Sequence, residues 1–110
     1  MAEINTSELV KKMLKAAQGA LKNQWPAAKD YAESEFRKLG ETFLFIQKEV
    51  AAGRMTEERA RLHMKMQKNA TRMMLLTLEG LGVLAVEAAI NAALSVVKET
   101  VNGALDFALL

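Results

Sequence analysis

The strongest constraint on the fold is the spacing of the apolar residues between positions 32 and 50. They recur at alternating steps of four and three, the heptad spacing of a helix that packs against another helix: Ala32, Phe36, Leu39, Phe43, Ile46 and Val50. The chain's single proline, Pro26, fits without penalty only in the first turn of a helix. We therefore expect an all-α chain in which this helix runs from about Pro26 to Ala52.

Capping signals divide the rest of the chain into further helices. A first helix is expected to begin near Thr6 or Ser7, either of which can accept a hydrogen bond from its first turn. Gly53 suits a left-handed C-cap and Thr56 an N-cap, so the second and third helices should form an antiparallel hairpin. The packed face of the third helix is predicted from its apolar positions: Leu62, Met66, Ala70 and Met73, with Met64 and Met74 at its sides.

The last helix is predicted to run from about Gly82 to Phe107, after a kink or break at Gly80–Gly82. The fold class is thus a helical hairpin or bundle of about four helices with a long apolar C-terminal helix. Within one all-helical domain, residues 1–72 are amphipathic and carry 14 basic and 9 acidic side chains, a net charge of +5. Residues 73–110 carry one base and four acids, a net charge of −3, and 25 of these 38 residues are apolar.

This apolar C-terminal helix predicts self-association. A helix that is apolar around most of its circumference is normally buried on most sides, and a short chain offers little else to cover it. Alanines at every fourth position would let another backbone approach closely, and larger apolar residues would add contact area. The predicted oligomer interface is Ala85, Ala89, Ala93, Ile90, Leu94, Val97 and Val101.

Two polar residues interrupt this apolar surface. Glu87 lies in the seam of the last helix and Asn91 follows one turn later, so both are candidates for buried polar groups. A carboxylate in that position must be paired, face water inside an assembly, or have a raised pKa. The alternative is a rotated helix in which Glu87 reaches solvent.

The sequence gives weak signals for catalysis or cofactors. The run from Gly80 to Ala85 fits the G-x-G-x-x-A dinucleotide pattern, but no predicted strands surround it, so a kink or close backbone packing is preferred. His63 is the only histidine, and Ala60 stands where a dicarboxylate metal helix would carry glutamate. There is no cysteine for disulfides or thiolate sites, and the methionines are interpreted as core filling. We expect no enzymatic activity, no metal and no cofactor.

These features favour a non-catalytic structural or interaction subunit. Its partners would be copies of itself and other subunits of a ring, tube, filament or virion-type particle, in the cytoplasm or within a soluble assembly. A net charge of only +2, without aromatic residues among the basic ones, gives no reason to expect nucleic acid. The alternative is a membrane-active or pore-forming protein whose C-terminal helix inserts: residues 81–97 carry one charge, although Glu87 and Asn91 would be costly in a bilayer.

Overall fold

The computed structural model describes residues 3–110, and every regular element in that range is helical. The all-α prediction is therefore confirmed for this part of the chain. The elements are α1 (Thr6–Leu21), a 3₁₀ turn (Lys22–Gln24), α2 (Trp25–Ala51), α3 (Glu57–Leu76) and α4 (Val83–Leu105).

The junction between α1 and α2 has the form that Pro26 predicts. The 3₁₀ turn separates the two helices, Lys22 has a positive φ of 51°, and Pro26 lies in the first turn of α2. The N-cap of α1 is Asn5 and not Thr6 or Ser7, because the Asn5 side-chain oxygen accepts the Glu8 N–H at 3.1 Å. Asparagine is as effective an N-cap as serine, so the sequence alone does not decide among the consecutive residues Asn5, Thr6 and Ser7.

The hairpin between α2 and α3 forms as expected. Gly53 has a φ of 75°, in the left-handed region, and the Thr56 hydroxyl accepts the Arg59 N–H at 3.2 Å. The rings of Phe45 and His63 lie 5.6 Å apart across the pair of helices. The glycine segment after α3 is a full break, since α3 ends at Leu76, Gly80 has a φ of 89°, and α4 begins only at Val83.

The core is formed chiefly by α1, α2 and α4. The helix α1 packs along both α4 and α2, and α2 packs along α3, whereas α3 and α4 make far less contact with each other. The predicted α2 seam is buried except for Val50, which is half-buried. Phe36, Leu39, Phe43 and Ile46 are fully inaccessible to solvent.

The predicted packed face of α3 is wrong. Leu62, Met66 and Met73 are 56, 63 and 70% exposed, and Ala70 is also exposed. The buried positions are Ala60, Met64, Thr71 and Leu75. At 100° per residue these two sets lie on opposite sides of the helix. The core-filling interpretation of the methionines therefore holds for Met13 and Met64 but fails for Met66, Met73 and Met74.

Candidate interaction surfaces

The residues predicted as an oligomer interface lie mainly in the core of the single chain. Five of them are fully buried and Leu94 is 8% exposed, while Ala85 is half-buried: Ala89, Ile90, Ala93, Val97 and Val101. The helix α4 packs more extensively on α1 than any other two helices pack on each other. Their burial therefore requires no second copy, and the premise that the chain cannot cover its last helix is wrong.

The two predicted buried polar residues have different environments. Asn91 is exposed, which corrects that prediction, and Glu87 is half-buried. The Glu87 carboxylate accepts hydrogen bonds from the Arg72 guanidinium, which joins α4 to α3. The hydrogen bond from Arg72 holds the pKa of Glu87 below its usual value, against the opposing effect of desolvation, and the charges of Arg72 and Lys68 add to the lowering. Glu87 is thus a paired carboxylate.

The outer stripe of α3 is the most regular exposed apolar surface of this helix. We define it as Leu62, Met66, Met73 and Leu76, of which even the least exposed, Leu76, is 37% accessible. Asn69 is exposed between Met66 and Met73, so positions 62, 66, 69, 73 and 76 follow the four-three spacing of a helix–helix seam. Contiguous exposed apolar surface is typical of a protein interaction site.

The two flanks of the outer stripe differ in chemistry. On one side, Phe45 is 46% exposed and its ring meets that of His63. On the other side are the basic residues Lys65 and Arg72, and Arg72 also donates a hydrogen bond to the side-chain oxygen of Asn69. This surface can pack against an apolar helix that carries polar groups along its edges.

A groove of about 520 Å³ lies between α3 and α4. Four cationic side chains line it: Arg61, Lys65, Lys68 and Lys98. Its apolar lining comes from Met64, Leu94, Leu109 and Leu110, and no acidic side chain contributes to it. We call this feature the α3–α4 groove. It combines positive charge with an apolar surface, and this combination suits an anionic molecule that also has an apolar part.

Sequence reasoning missed both surfaces for identifiable reasons. The outer stripe is visible in the sequence as an apolar repeat, but periodicity does not say which of two stripes faces inward, so the sequence predicts it as part of the core. The groove depends on Lys98, Ser95 and Asn91 facing α3, which requires knowing how two helices pack. Two buried polar residues were also missed: Glu35, which pairs with Lys38 at 3.0 Å, and Thr71.

The described part of the chain holds no group of three or more His, Cys, Asp or Glu side chains that could bind a metal ion. None of the helices within residues 3–110, α4 included, has the length and apolar character needed to cross a membrane. The segment Gly80-Leu81-Gly82 is a loop between two helices, so it lacks the strand that a dinucleotide site requires. Comparisons with protein-family models, with curated proteins and with solved structures find no match for this chain.

Proposed function

We propose that this protein is a non-catalytic structural subunit that associates with copies of itself through the outer stripe of α3. Each subunit would be a bundle of about four helices, in which the apolar C-terminal helix serves as the internal support. The observation that carries the proposal is the exposure of Leu62, Met66 and Met73 on one line of a helix whose opposite face is already buried.

The pattern of the stripe favours a second copy as the partner. Leu62 and Leu76 lie seven residues on either side of Asn69, and Met66 and Met73 lie three and four residues from it. Because the stripe is nearly symmetric about Asn69, both a parallel and an antiparallel pair of α3 helices would cover all four apolar side chains. In either pair the two Asn69 side chains would meet, and a polar residue at one seam position fixes the register of paired helices.

The energetics allow such a pair. A leucine or methionine side chain contributes roughly 1.5–3 kcal/mol when it is fully buried from an exposed state. Two stripes would bury eight such side chains, each from partial exposure, against a cost of about 4–15 kcal/mol for the lost freedom of two subunits. The exposed ring pair of Phe45 and His63 could widen the contact at one flank.

The decisive measurement is absolute mass by sedimentation equilibrium. We expect the wild-type chain to form a dimer or larger species at micromolar concentration, and the double variant Met66→Lys/Met73→Lys to be a monomer with unchanged helical content. Val96→Lys is the matched control, because Val96 is 49% exposed on α4, outside the stripe. A strictly monomeric wild type, or a double variant that keeps its oligomeric mass, would refute the proposal.

Single cysteines would establish the orientation of the pair, since the natural chain has none. Asn69→Cys should form an intermolecular disulfide in either orientation. Leu62→Cys should do so only in a parallel pair, because in an antiparallel pair the two positions would be about 21 Å apart along the helices. A wild-type oligomer in which Asn69→Cys fails to cross-link under oxidation would place the interface elsewhere.

A further inference from the structure

We propose that the α3–α4 groove binds a single-chain anionic amphiphile, of which a medium-chain carboxylate is the simplest example. This inference does not rest on self-association, because the groove lies between α3 and α4 and, of the residues that line it, only Lys65 also flanks the outer stripe.

The rim of the groove carries more cationic than acidic side chains. Within residues 3–110, Lys65, Lys68 and Lys98 have no acidic side chain at ion-pair distance, and Arg61 reaches only Glu57, at 3.9 Å. On α4, Glu87 is paired with Arg72. A carboxylate placed among these cations would form charge-assisted hydrogen bonds that the protein itself leaves unmade.

The floor of the groove is apolar. Met64, Leu94 and Leu109 line it, and each is almost completely buried, with accessibilities of 3, 8 and 8%. These side chains are fixed by the core, and the half-buried Leu110 supplies the more accessible part of the apolar lining, so a hydrocarbon chain would meet a formed surface. Apolar walls with a few convergent polar groups are typical of small-molecule sites, and a volume of 520 Å³ is within their usual range.

Both ends of the groove are defined by specific contacts. Beyond Lys68, the ion pair between Arg72 and Glu87 joins the two helices. At the other end the C-terminal segment folds back, because the Asn102 side-chain oxygen accepts the N–H groups of Leu109 and Leu110 at 2.9 and 3.0 Å. Arg61 anchors the same segment by donating to the Ala108 carbonyl at 3.0 Å.

The distance between these ends limits the length of the ligand. On α3 the cations run from Arg61 to Lys68, seven residues that span about 10 Å. A chain of medium length can lie along this distance with its head group at the rim. A small anion such as acetate would contact the cations but leave the apolar floor uncovered, so it should bind much more weakly.

Isothermal titration calorimetry with sodium decanoate, kept below its micelle-forming concentration, tests the proposal. We expect saturable binding of one decanoate per chain, with decanol at least about tenfold weaker and acetate undetectable, because charge-assisted hydrogen bonds and apolar contact both contribute. Amide chemical shifts should change around Lys65, Ser95 and Lys98. Absence of saturable decanoate binding, or equal binding of decanol, would overturn the inference.

Two variants locate the site without disturbing the core. Lys65→Glu/Lys98→Glu should weaken decanoate binding at least about tenfold, whereas Lys11→Glu/Lys15→Glu, an equal charge change on exposed positions of α1, should leave it unchanged.

Ser95→Tyr should block the groove sterically and abolish binding. The stripe variant Met66→Lys/Met73→Lys should keep full affinity. Equal loss in both lysine pairs, or loss only in the stripe variant, would place the ligand outside the groove.

Discussion

The helices α3 and α4 have opposite compositions and opposite relations to solvent. Seven of the 20 residues of α3 are charged, against three of the 23 residues of α4. Yet α3 presents an aligned row of large apolar side chains to solvent, whereas the large exposed apolar residues of α4 are Val83 and Leu84 in its first turn and the separate Val96. The more polar helix therefore has the more regular apolar surface.

The difference arises from the neighbours of each helix. The long contact of α4 with α1 covers most of its apolar circumference, while α3 packs closely only on α2 and leaves its far side open. Composition measures how much apolar area a helix carries, but packing decides how much of it remains for a partner. A search for interaction surfaces should therefore weigh the uncovered face of a helix above its mean hydropathy.

The largest expected effect is the loss of unfolding free energy when a buried residue of α4 is truncated, compared with truncation of an exposed residue of α3. Ile90→Ala on α4 should lower the free energy of unfolding by about 2–5 kcal/mol, because Ile90 is fully buried and its removal leaves a cavity. Met66→Ala on α3 should change it by less than about 0.5 kcal/mol in the monomer, since Met66 is 63% exposed. Urea denaturation at low protein concentration measures both; similar losses would contradict the contrast between the helices.

A smaller effect is expected from overpacking the alanine ridge of α4. Ala89 is fully buried within the chain, so Ala89→Leu should destabilise the subunit by about 1–3 kcal/mol. Ala88→Leu is the matched control, because Ala88 is exposed one position away. If Ala89→Leu instead left the unfolding free energy intact and altered only the oligomeric mass, the ridge would be an interface between copies after all.

Much of the fold is readable from the sequence, because local signals determine it. Pro26, Gly53 and Thr56 each impose a backbone geometry or satisfy a helix end, and the four-three repeat of α2 marks the side of that helix that is buried. The candidate surfaces are harder to predict from the sequence, because α3 has two apolar stripes. Only the packing of α2 on α3 decides that the stripe containing Met64 is the buried one. Likewise, Arg72 and Glu87 are 15 residues apart and meet only because the fold brings the last turns of α3 near the first turns of α4.

The inner face of α3 contains a polar defect whose removal should be mildly stabilising. Thr71 is fully buried, and its hydroxyl has no hydrogen-bond partner among the described residues. Thr71→Val should raise the free energy of unfolding by about 1 kcal/mol, because an unsatisfied hydroxyl is replaced by a methyl group. Thr77→Val is the control at an exposed position, where the hydroxyl donates to the Met74 carbonyl at 2.6 Å. A loss of stability in Thr71→Val would mean that its hydroxyl is satisfied in solution.

The smallest effect concerns the ion pair that connects the two helices. Because Arg72 lowers the pKa of Glu87 in the folded state below the ordinary value of 4.5, the stabilisation by this pair is present above that pH. It should be lost as the pH falls through the lowered folded-state pKa. Between about pH 6 and about pH 2, wild-type stability should thus fall more than that of Glu87→Gln, which has no carboxylate to protonate.

Acid unfolding monitored by circular dichroism measures this difference. Glu49 also has a lowered pKa, through its hydrogen bonds with Arg54, and it contributes the same acid-dependent loss to wild type and variant alike. Subtracting the two pH profiles therefore isolates Glu87. If the Glu87→Gln profile coincided with that of the wild type, the ion pair would not join α3 to α4 in solution, and the groove would lose the contact that defines one of its ends.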